Sequence, residues 1–202
     1  MDINKIKKYW DTSDYKMAHL SYEYVKEKGF DLWKDNFLNK IDFNNKIVLD
    51  YGIGGGYLGK ILFDEYKIKK YIGVDISERQ LSFAKNTLKN TNSEFYLLPI
   101  NLDHIYFDIF ICQAVIQHFP TEEYLIDFLK NVNNSNGNNL IIQIRYSEET
   151  KFKNNYNDIS EIRLSCYTNS NYINNYLINY KVIYESDIKN LSKYQFLIYQ
   201  KI

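Results

Sequence analysis

The chain has 202 residues, of which 45% are hydrophobic and 25% are charged. This length and composition predict one globular domain that can bury a sizeable core. Lysine plus arginine and aspartate plus glutamate both number 25, so the formal net charge is zero. Since nucleic-acid-binding proteins usually carry a basic excess, we expect no nucleic-acid partner.

The two cysteines, Cys112 and Cys166, lie outside any Cys-x-x-Cys or Cys/His cluster, so no structural zinc is expected. The N-terminus lacks the apolar core of a signal peptide, and no apolar stretch is long enough to span a bilayer. We therefore expect a cytoplasmic protein with no membrane partner.

Secondary structure follows from hydrophobic periodicity taken in chain order. Residues 15–39 predict an aromatic-rich helical segment that precedes the core. From Lys46 onward, short β-branched runs alternate with helical patterns. Predicted strands are 46–51, 70–75, 94–98, 107–112, 139–146, 181–185 and 195–201, and predicted helices are 57–66, 78–89 and 122–132. Ser77 and Thr121 are the expected N-caps of the second and third helices.

This alternation predicts a mostly parallel sheet covered on both faces by helices. The last two strands are joined by a short polar segment, whereas a parallel crossover needs about a dozen residues, so we expect them to pair antiparallel. The prediction is a single α/β domain, with residues 1–45 as a helical cap or lid and residues 46–202 as the cofactor-binding core.

Glycines 52, 54, 55, 56 and 59 follow the first strand of the core and open its first helix. The spacing of Gly54, Gly56 and Gly59 matches the dinucleotide pattern, which permits a nicotinamide cofactor. Asp50 ends the strand just before the glycines, where a carboxylate would oppose a pyrophosphate. It suits S-adenosylmethionine instead, which carries a sulfonium and an ammonium group and no phosphate. Asp75 ends the second strand, where a carboxylate can bind ribose hydroxyls of either cofactor.

The segments VLDYGIGGG, YIGVDIS, FDIFICQAVIQHF and NLIIQIRY occur in this order and together resemble the class I S-adenosylmethionine-dependent methyltransferases. The resemblance runs from about Lys46 to the C-terminus, and its first segment is the most specific. It implies a Rossmann-like three-layer sandwich with a seven-stranded sheet and an antiparallel C-terminal strand. It also implies S-adenosylmethionine as cofactor and S-adenosylhomocysteine as product.

The resemblance also implies which residues bind the cofactor. The glycines line its methionine and ribose part, Asp75 holds the ribose, and Ile76 lies against the adenine. In many family members an aspartate after the third strand contacts the adenine amine, but Pro99 stands at that place here. The residues expected to bind the cofactor are Tyr15, Asp50, Gly52, Gly54, Gly56, Asp75, Ile76, Pro99 and Gln113.

The expected reaction is O-methylation of a small molecule, either a small metabolite or a saccharide-type or anionic compound. The sequence carries no Asn/Asp-Pro-Pro-Tyr signature of enzymes that methylate exocyclic amines, and no acidic ligands follow the fourth strand, so we expect no metal. His118 is the candidate general base for a hydroxyl acceptor, because imidazole titrates near neutral pH; ordinary packing is the alternative.

Four further residues are candidates for acceptor binding. Arg145 and Tyr146 end the fifth strand, where arginine would suit an anionic acceptor or form a surface salt bridge. Tyr9 and Trp10 would close over the site or only pack against it. The other functions left open are N-methylation of a small amine, a nicotinamide-dependent oxidoreductase, and a non-catalytic cofactor-binding partner protein. The sequence does not indicate the oligomeric state.

Overall fold

The architecture was taken from a computed structural model, which describes residues 3–12, 30–152, 166–187 and 193–202. A seven-stranded sheet lies at its centre, in the order β3-β2-β1-β4-β5-β9-β8. Its strands are β1 (Ile47–Tyr51), β2 (Lys70–Asp75), β3 (Ser93–Leu97), β4 (Ile109–Cys112), β5 (Asn139–Arg145), β8 (Tyr180–Glu185) and β9 (Tyr194–Lys201). Strands β1 to β5 are parallel, and β9 runs antiparallel to both β5 and β8. The predicted fold class is therefore confirmed.

Helices cover both faces of the sheet, as the alternation of the sequence predicts. The described α-helices are α1 (Ile3–Thr12), α2 (Phe30–Trp33), α3 (Tyr57–Tyr66), α4 (Glu78–Thr87), α5 (Glu122–Asn133) and α6 (Ser170–Asn174). The Ser77 Oγ accepts a hydrogen bond from the Gln80 N–H at 3.1 Å, and the Thr121 Oγ1 accepts one from the Tyr124 N–H at 3.2 Å. Both predicted N-caps are therefore confirmed.

Strand burial explains the near-continuous apolar runs of the sequence. Alternate side chains of each central strand point to opposite faces, and each face carries its own buried cluster. Leu49 and Phe110 belong to the cluster beneath α5, whereas Val48 and Ile111 belong to the cluster beneath α3 and α4. Because both faces are covered, the edge formed by the carboxyl ends of the strands remains available for a site.

The segment before the core is only partly described. Of the predicted helical segment 15–39, residues 15–29 lie outside the described ranges. The chain is helical from Phe30, where α2 begins, and α2 continues into a π-helical turn at Lys34–Leu38. Two short strands, β6 (Lys151–Phe152) and β7 (Cys166–Tyr167), pair antiparallel beside the main sheet. Because a two-residue strand carries no periodic signal, these strands could not be predicted from the sequence. Within the described ranges, every helix is too short or too polar to cross a bilayer.

Candidate functional site

A cavity of about 350 Å³ lies beyond the carboxyl ends of β1, β2 and β4. Strand β1 pairs with β2 on one side and β4 on the other, so the chain order reverses here, which is where open α/β sheets bind ligands. The volume is near the lower end of the range for small-molecule sites, about 300–1,000 Å³. The described residues that line it are Ile3, Ile6, Trp10, Trp33, Asp50–Gly55, Tyr57, Leu58, Asp75, Ile76, Gln80, Leu98, Gln113–Val115, His118, Phe119 and Tyr124.

The glycine loop presents bare backbone to this cavity. Gly52 and Gly54 line it with φ angles of 85° and 52°, in the left-handed region that favours glycine. A Cβ atom on Gly54 would meet no atom within 4 Å, so the space beside this backbone belongs to the cavity. Gly56 does not line the cavity. A Cβ atom there would lie 3.2 Å from the Ala84 Cα, so Gly56 permits the loop to pack closely on α4.

The Asp75 side chain joins the glycine loop to the start of α4. Its Oδ2 accepts a hydrogen bond from the Gly54 N–H at 3.0 Å, and its Oδ1 accepts one from the Ser77 N–H at 2.9 Å. Burial raises the pKa of Asp75, and the hydrogen bonds from the backbone N–H groups of Ser77, Gly54 and Ile76 oppose this rise. The carboxylate lines the cavity and keeps acceptor capacity, because an ionised carboxylate offers about four lone-pair positions.

Asp50 is the second carboxylate in the cavity wall, and it is almost fully buried. The hydroxyl of Tyr71, on the neighbouring strand β2, donates a hydrogen bond to its Oδ2. Burial raises the pKa of Asp50, the Tyr71 hydrogen bond opposes this rise and the negative charge of Asp75 adds to it, so that the pKa is about 7. Two carboxylates that face one cavity provide negative potential where a cation can bind.

The predicted adenine-side residues separate into two groups. Ile76 lines the cavity, as do Gln80 and Leu98, which the sequence analysis missed. Pro99 is exposed and does not line it. The position of Gln80 has a signal in the sequence, because it lies in the first turn of α4, just after the strand that ends at Asp75. Leu98 carries no such signal.

The other end of the cavity is formed by the segment after β4. Gln113, Ala114 and His118 line it, and Ala114 has a φ of 57°, an uncommon conformation for a residue with a side chain. The His118 ring makes an edge contact with the Trp10 ring, with centroids 5.2 Å apart, and its Nε2 lies 3.3 Å from the Gln117 Nε2. An imidazole therefore lies in the cavity wall after β4, whereas Asp75 ends β2 on the other side of β1.

Helix α1 covers the cavity between these two ends. The Ser77 Oγ donates a hydrogen bond to the Asp11 Oδ1 at 2.7 Å, and Trp10 reaches His118 on the other side. Ile6 is the buried residue of this helix, and its side chain and that of Trp10 line the cavity. Tyr9 contacts the Trp10 ring, at 5.1 Å between centroids, but does not line the cavity itself.

The structure does not bring Arg145 or Tyr146 to the cavity. The Arg145 guanidinium lies 4.9 Å from the ring centroid of Tyr167 and 5.8 Å from that of Tyr194, beside the small β6–β7 sheet. The reason is that β5 pairs with β9, so the end of β5 meets aromatic residues of β7 and β9. Tyr15 lies outside the described residues.

No cluster of three or more histidine, cysteine, aspartate or glutamate side chains suited to a metal ion occurs in the described ranges. The expectation that the protein needs no metal ion stays a prediction.

Comparison with known proteins agrees with the fold. Residues 42–194 match the family described as methyltransferase domain. Over 90 residues the chain is 29% identical to the malonyl-acyl-carrier-protein O-methyltransferase of Acetivibrio thermocellus. That alignment covers 42% of this chain and 32% of the relative, so it spans about a third of the relative's length.

Solved structures with the same fold include magnesium protoporphyrin IX methyltransferase from Synechocystis PCC 6803 with bound S-adenosylmethionine, with a TM-score of 0.63 and 16% identity over 99% of this chain and 91% of that one. A chain from the complex between the Haloferax volcanii Trm112 methyltransferase activator and a methyltransferase has a TM-score of 0.70 and 11% identity, and covers 97% of both chains. At these identities the likeness extends to the fold alone.

Proposed function

This chain belongs to the methyltransferase domain family as a class I, Rossmann-like S-adenosylmethionine-dependent enzyme, and we propose that it methylates an oxygen atom of a small molecule. The imidazole in the cavity wall supports a hydroxyl group as the acceptor. The name of the Acetivibrio thermocellus relative, an O-methyltransferase, supports oxygen as the acceptor atom.

The pair of buried carboxylates beside the glycine loop carries the proposal. Asp50 and Asp75 line one cavity, and no lysine or arginine from the described ranges lines it with them. Such a wall repels the pyrophosphate of a dinucleotide and attracts the sulfonium and ammonium groups of S-adenosylmethionine. We propose that Asp75 binds the ribose hydroxyls and that Asp50 faces the ammonium group. The bare backbone of Gly52 and Gly54 allows a close approach.

Two further residues complete the proposed cofactor site. Ile76 would pack against the adenine, and Gln113 would contact the methionine end. When bound, this cofactor supplies an electrophilic methyl group on a positively charged sulfur. The protein's own contribution is to align the acceptor with that methyl group and to exclude water from the cavity.

His118 is the proposed general base, since it lines the cavity after β4 and can accept a hydroxyl proton. Trp10 contacts its ring and would form part of the acceptor site. An anionic acceptor has no support from Arg145, because that side chain is stacked on tyrosines outside the cavity.

We propose that α1 acts as a lid over the bound cofactor. Two adjacent residues in its last turn contact different parts of the site: Asp11 contacts Ser77 at the start of α4, and Trp10 contacts His118. The described part of the cap therefore touches both the cofactor end and the acceptor end of the cavity. Tyr9 supports the position of Trp10 from within the same helix.

Thermal unfolding with S-adenosylmethionine and with NADH tests the cofactor assignment. We expect S-adenosylmethionine to raise the melting temperature and NADH to leave it unchanged. Gly54→Val would fill the open space beside the loop backbone and should remove the shift; because valine is strained at a φ of 52°, circular dichroism without cofactor checks that the variant is folded. Stabilisation by NADH alone would favour an oxidoreductase.

Formation of S-adenosylhomocysteine only in the presence of a neutral hydroxyl compound, and not of its amine analogue, would support oxygen as the acceptor atom.

A further inference from the structure

Tyr71 is a large polar side chain inside an otherwise apolar part of the sheet. It is fully buried on β2, where the neighbouring Ile72 and Val74 are aliphatic. Its ring lies against α3 at Gly59, where a Cβ atom would come within 2.5 Å of the Tyr71 Cε1. The chain therefore leaves room for a phenol at a position where an aliphatic side chain would satisfy the core.

The phenol oxygen is directed at Asp50. The Tyr71 hydroxyl donates to the Asp50 Oδ2, and both side chains are buried. In the described ranges, no group donates a hydrogen bond to the Asp50 Oδ1, so this is the oxygen available to a ligand in the cavity. The register of β1 on β2 pairs Asp50 with Gly73, which sets Tyr71 two residues away on the neighbouring strand.

We propose that Tyr71 is a positioning residue for the cofactor. This inference rests on the proposed function. Tyr71 holds one oxygen of Asp50 so that the other meets the cationic amino-acid end of S-adenosylmethionine, and it stabilises the ionised form of Asp50 that this cation requires. At pH values where Asp50 still carries a proton, cofactor binding is then coupled to the loss of that proton.

Several titratable groups surround Asp50 and set the direction of this coupling. Tyr71 and Asp75 face it from β2, and Cys112 faces it from β4. Burial raises the pKa of the Tyr71 hydroxyl and of the Cys112 thiol well above their usual ranges, so both are neutral at physiological pH. Asp75 repels the charge of Asp50, and the Tyr71 hydrogen bond opposes that repulsion. Removing the hydroxyl must therefore raise the pKa of Asp50.

Tyr71→Phe removes only the oxygen atom and keeps the ring in the core. The test measures the dissociation constant of S-adenosylmethionine by calorimetry from pH 5.5 to pH 9.5 for the wild type and the variant. The ratio of the two constants at each pH cancels the titration of the ligand's own amino group. We expect a ratio of about ten or more below pH 7, since a hydrogen bond to a charged group shifts a pKa by roughly one unit or more, and a smaller ratio above pH 9, where Asp50 is ionised in both proteins and only its orientation differs. A ratio that does not change with pH would overturn the proposal.

Two controls separate this proposal from simple packing and from failure of the proposed function. Tyr199→Phe removes the hydroxyl of another buried tyrosine, which donates to Asn174 on the far side of the sheet, and should leave the affinity unchanged at every pH.

Carbon-13 NMR of the cofactor-free protein reports the pKa of the Asp50 carboxyl directly, with Asp50→Asn to assign the signal. We expect a higher pKa in Tyr71→Phe than in the wild type, and an equal pKa would overturn the proposal even in a protein that binds S-adenosylmethionine. A wild type that binds none, with the NMR difference intact, would contradict the proposed function alone.

Discussion

Asp50→Asn should make the cofactor-free protein more stable while it weakens cofactor binding. The pKa of Asp50 in the folded protein is about 7, whereas an aspartate in water titrates near 4. The folded protein therefore holds this proton more tightly than the unfolded chain, so stability falls as the pH rises from about 4 and the loss is complete above about 7. At about 1.4 kcal/mol per pH unit, the ionised carboxylate costs ~4 kcal/mol at pH 8.

An asparagine removes this cost and keeps the hydrogen bond from Tyr71, because its amide oxygen is also an acceptor. Its amide N–H₂ group is buried, and an unsatisfied donor costs about 1–3 kcal/mol. The expected net gain is therefore roughly 1–3 kcal/mol at pH 8, measured by urea unfolding without cofactor, and it should vanish near pH 5.

Asp108→Asn provides the matched control. The Asp108 Oδ2 accepts a hydrogen bond from the Ile47 N–H at 2.8 Å at the opposite end of β1, and Asp108 is only half-buried, so the same substitution there should bring no gain in stability at pH 8. Calorimetry should show weaker S-adenosylmethionine binding by Asp50→Asn. An Asp50→Asn protein that is less stable than the wild type at pH 8, or one with unchanged affinity, would refute the reasoning.

Three other substitutions test the remaining parts of the site. Asp75→Ala should weaken S-adenosylmethionine binding by about 1.5–3 kcal/mol, since hydrogen bonds to a charged group are lost, and calorimetry on the folded variant checks this. His118→Ala should lower kcat by roughly 10²–10⁴ with little change in cofactor affinity, and unchanged turnover in a stable protein would remove His118 as the base. Arg145→Lys loses the planar fork stacked on Tyr167 and Tyr194 but should leave the KM of the acceptor unchanged, because Arg145 does not line the cavity. A raised KM would instead place the acceptor near the end of β5.

Local rules predicted most of the fold from the sequence. The β-branched runs identified the strands of the main sheet, and the capping residues Ser77 and Thr121 marked the starts of α4 and α5, because both signals lie within a few neighbouring residues. The glycine loop and Asp75 could be assigned to the same edge, since parallel strands bring their carboxyl ends together. Gly52, Gly54, Gly55 and Asp75 do line one cavity.

Side-chain directions and long-range neighbours could not be predicted in the same way. Gly56 looks like its neighbours in the sequence, but whether a ligand or α4 approaches its backbone depends on tertiary packing. The partner of Asp50 is Tyr71, 21 positions later, and only the register of β1 on β2 reveals it. Arg145 ends a strand at the ligand edge, but its direction is set by pairing with β9, which lies about fifty residues further along the chain.

A crystal structure of the protein with S-adenosylhomocysteine tests the central claim most directly. We expect the product in the cavity beyond β1, β2 and β4, with its ribose hydroxyls on Asp75 and its amino group facing the Asp50 Oδ1. The glycine backbone at Gly52 and Gly54 should lie against the ligand, and His118 should remain open to an acceptor. A cavity that stays empty at saturating product, or a product bound elsewhere on the protein, would contradict the assignment of this site.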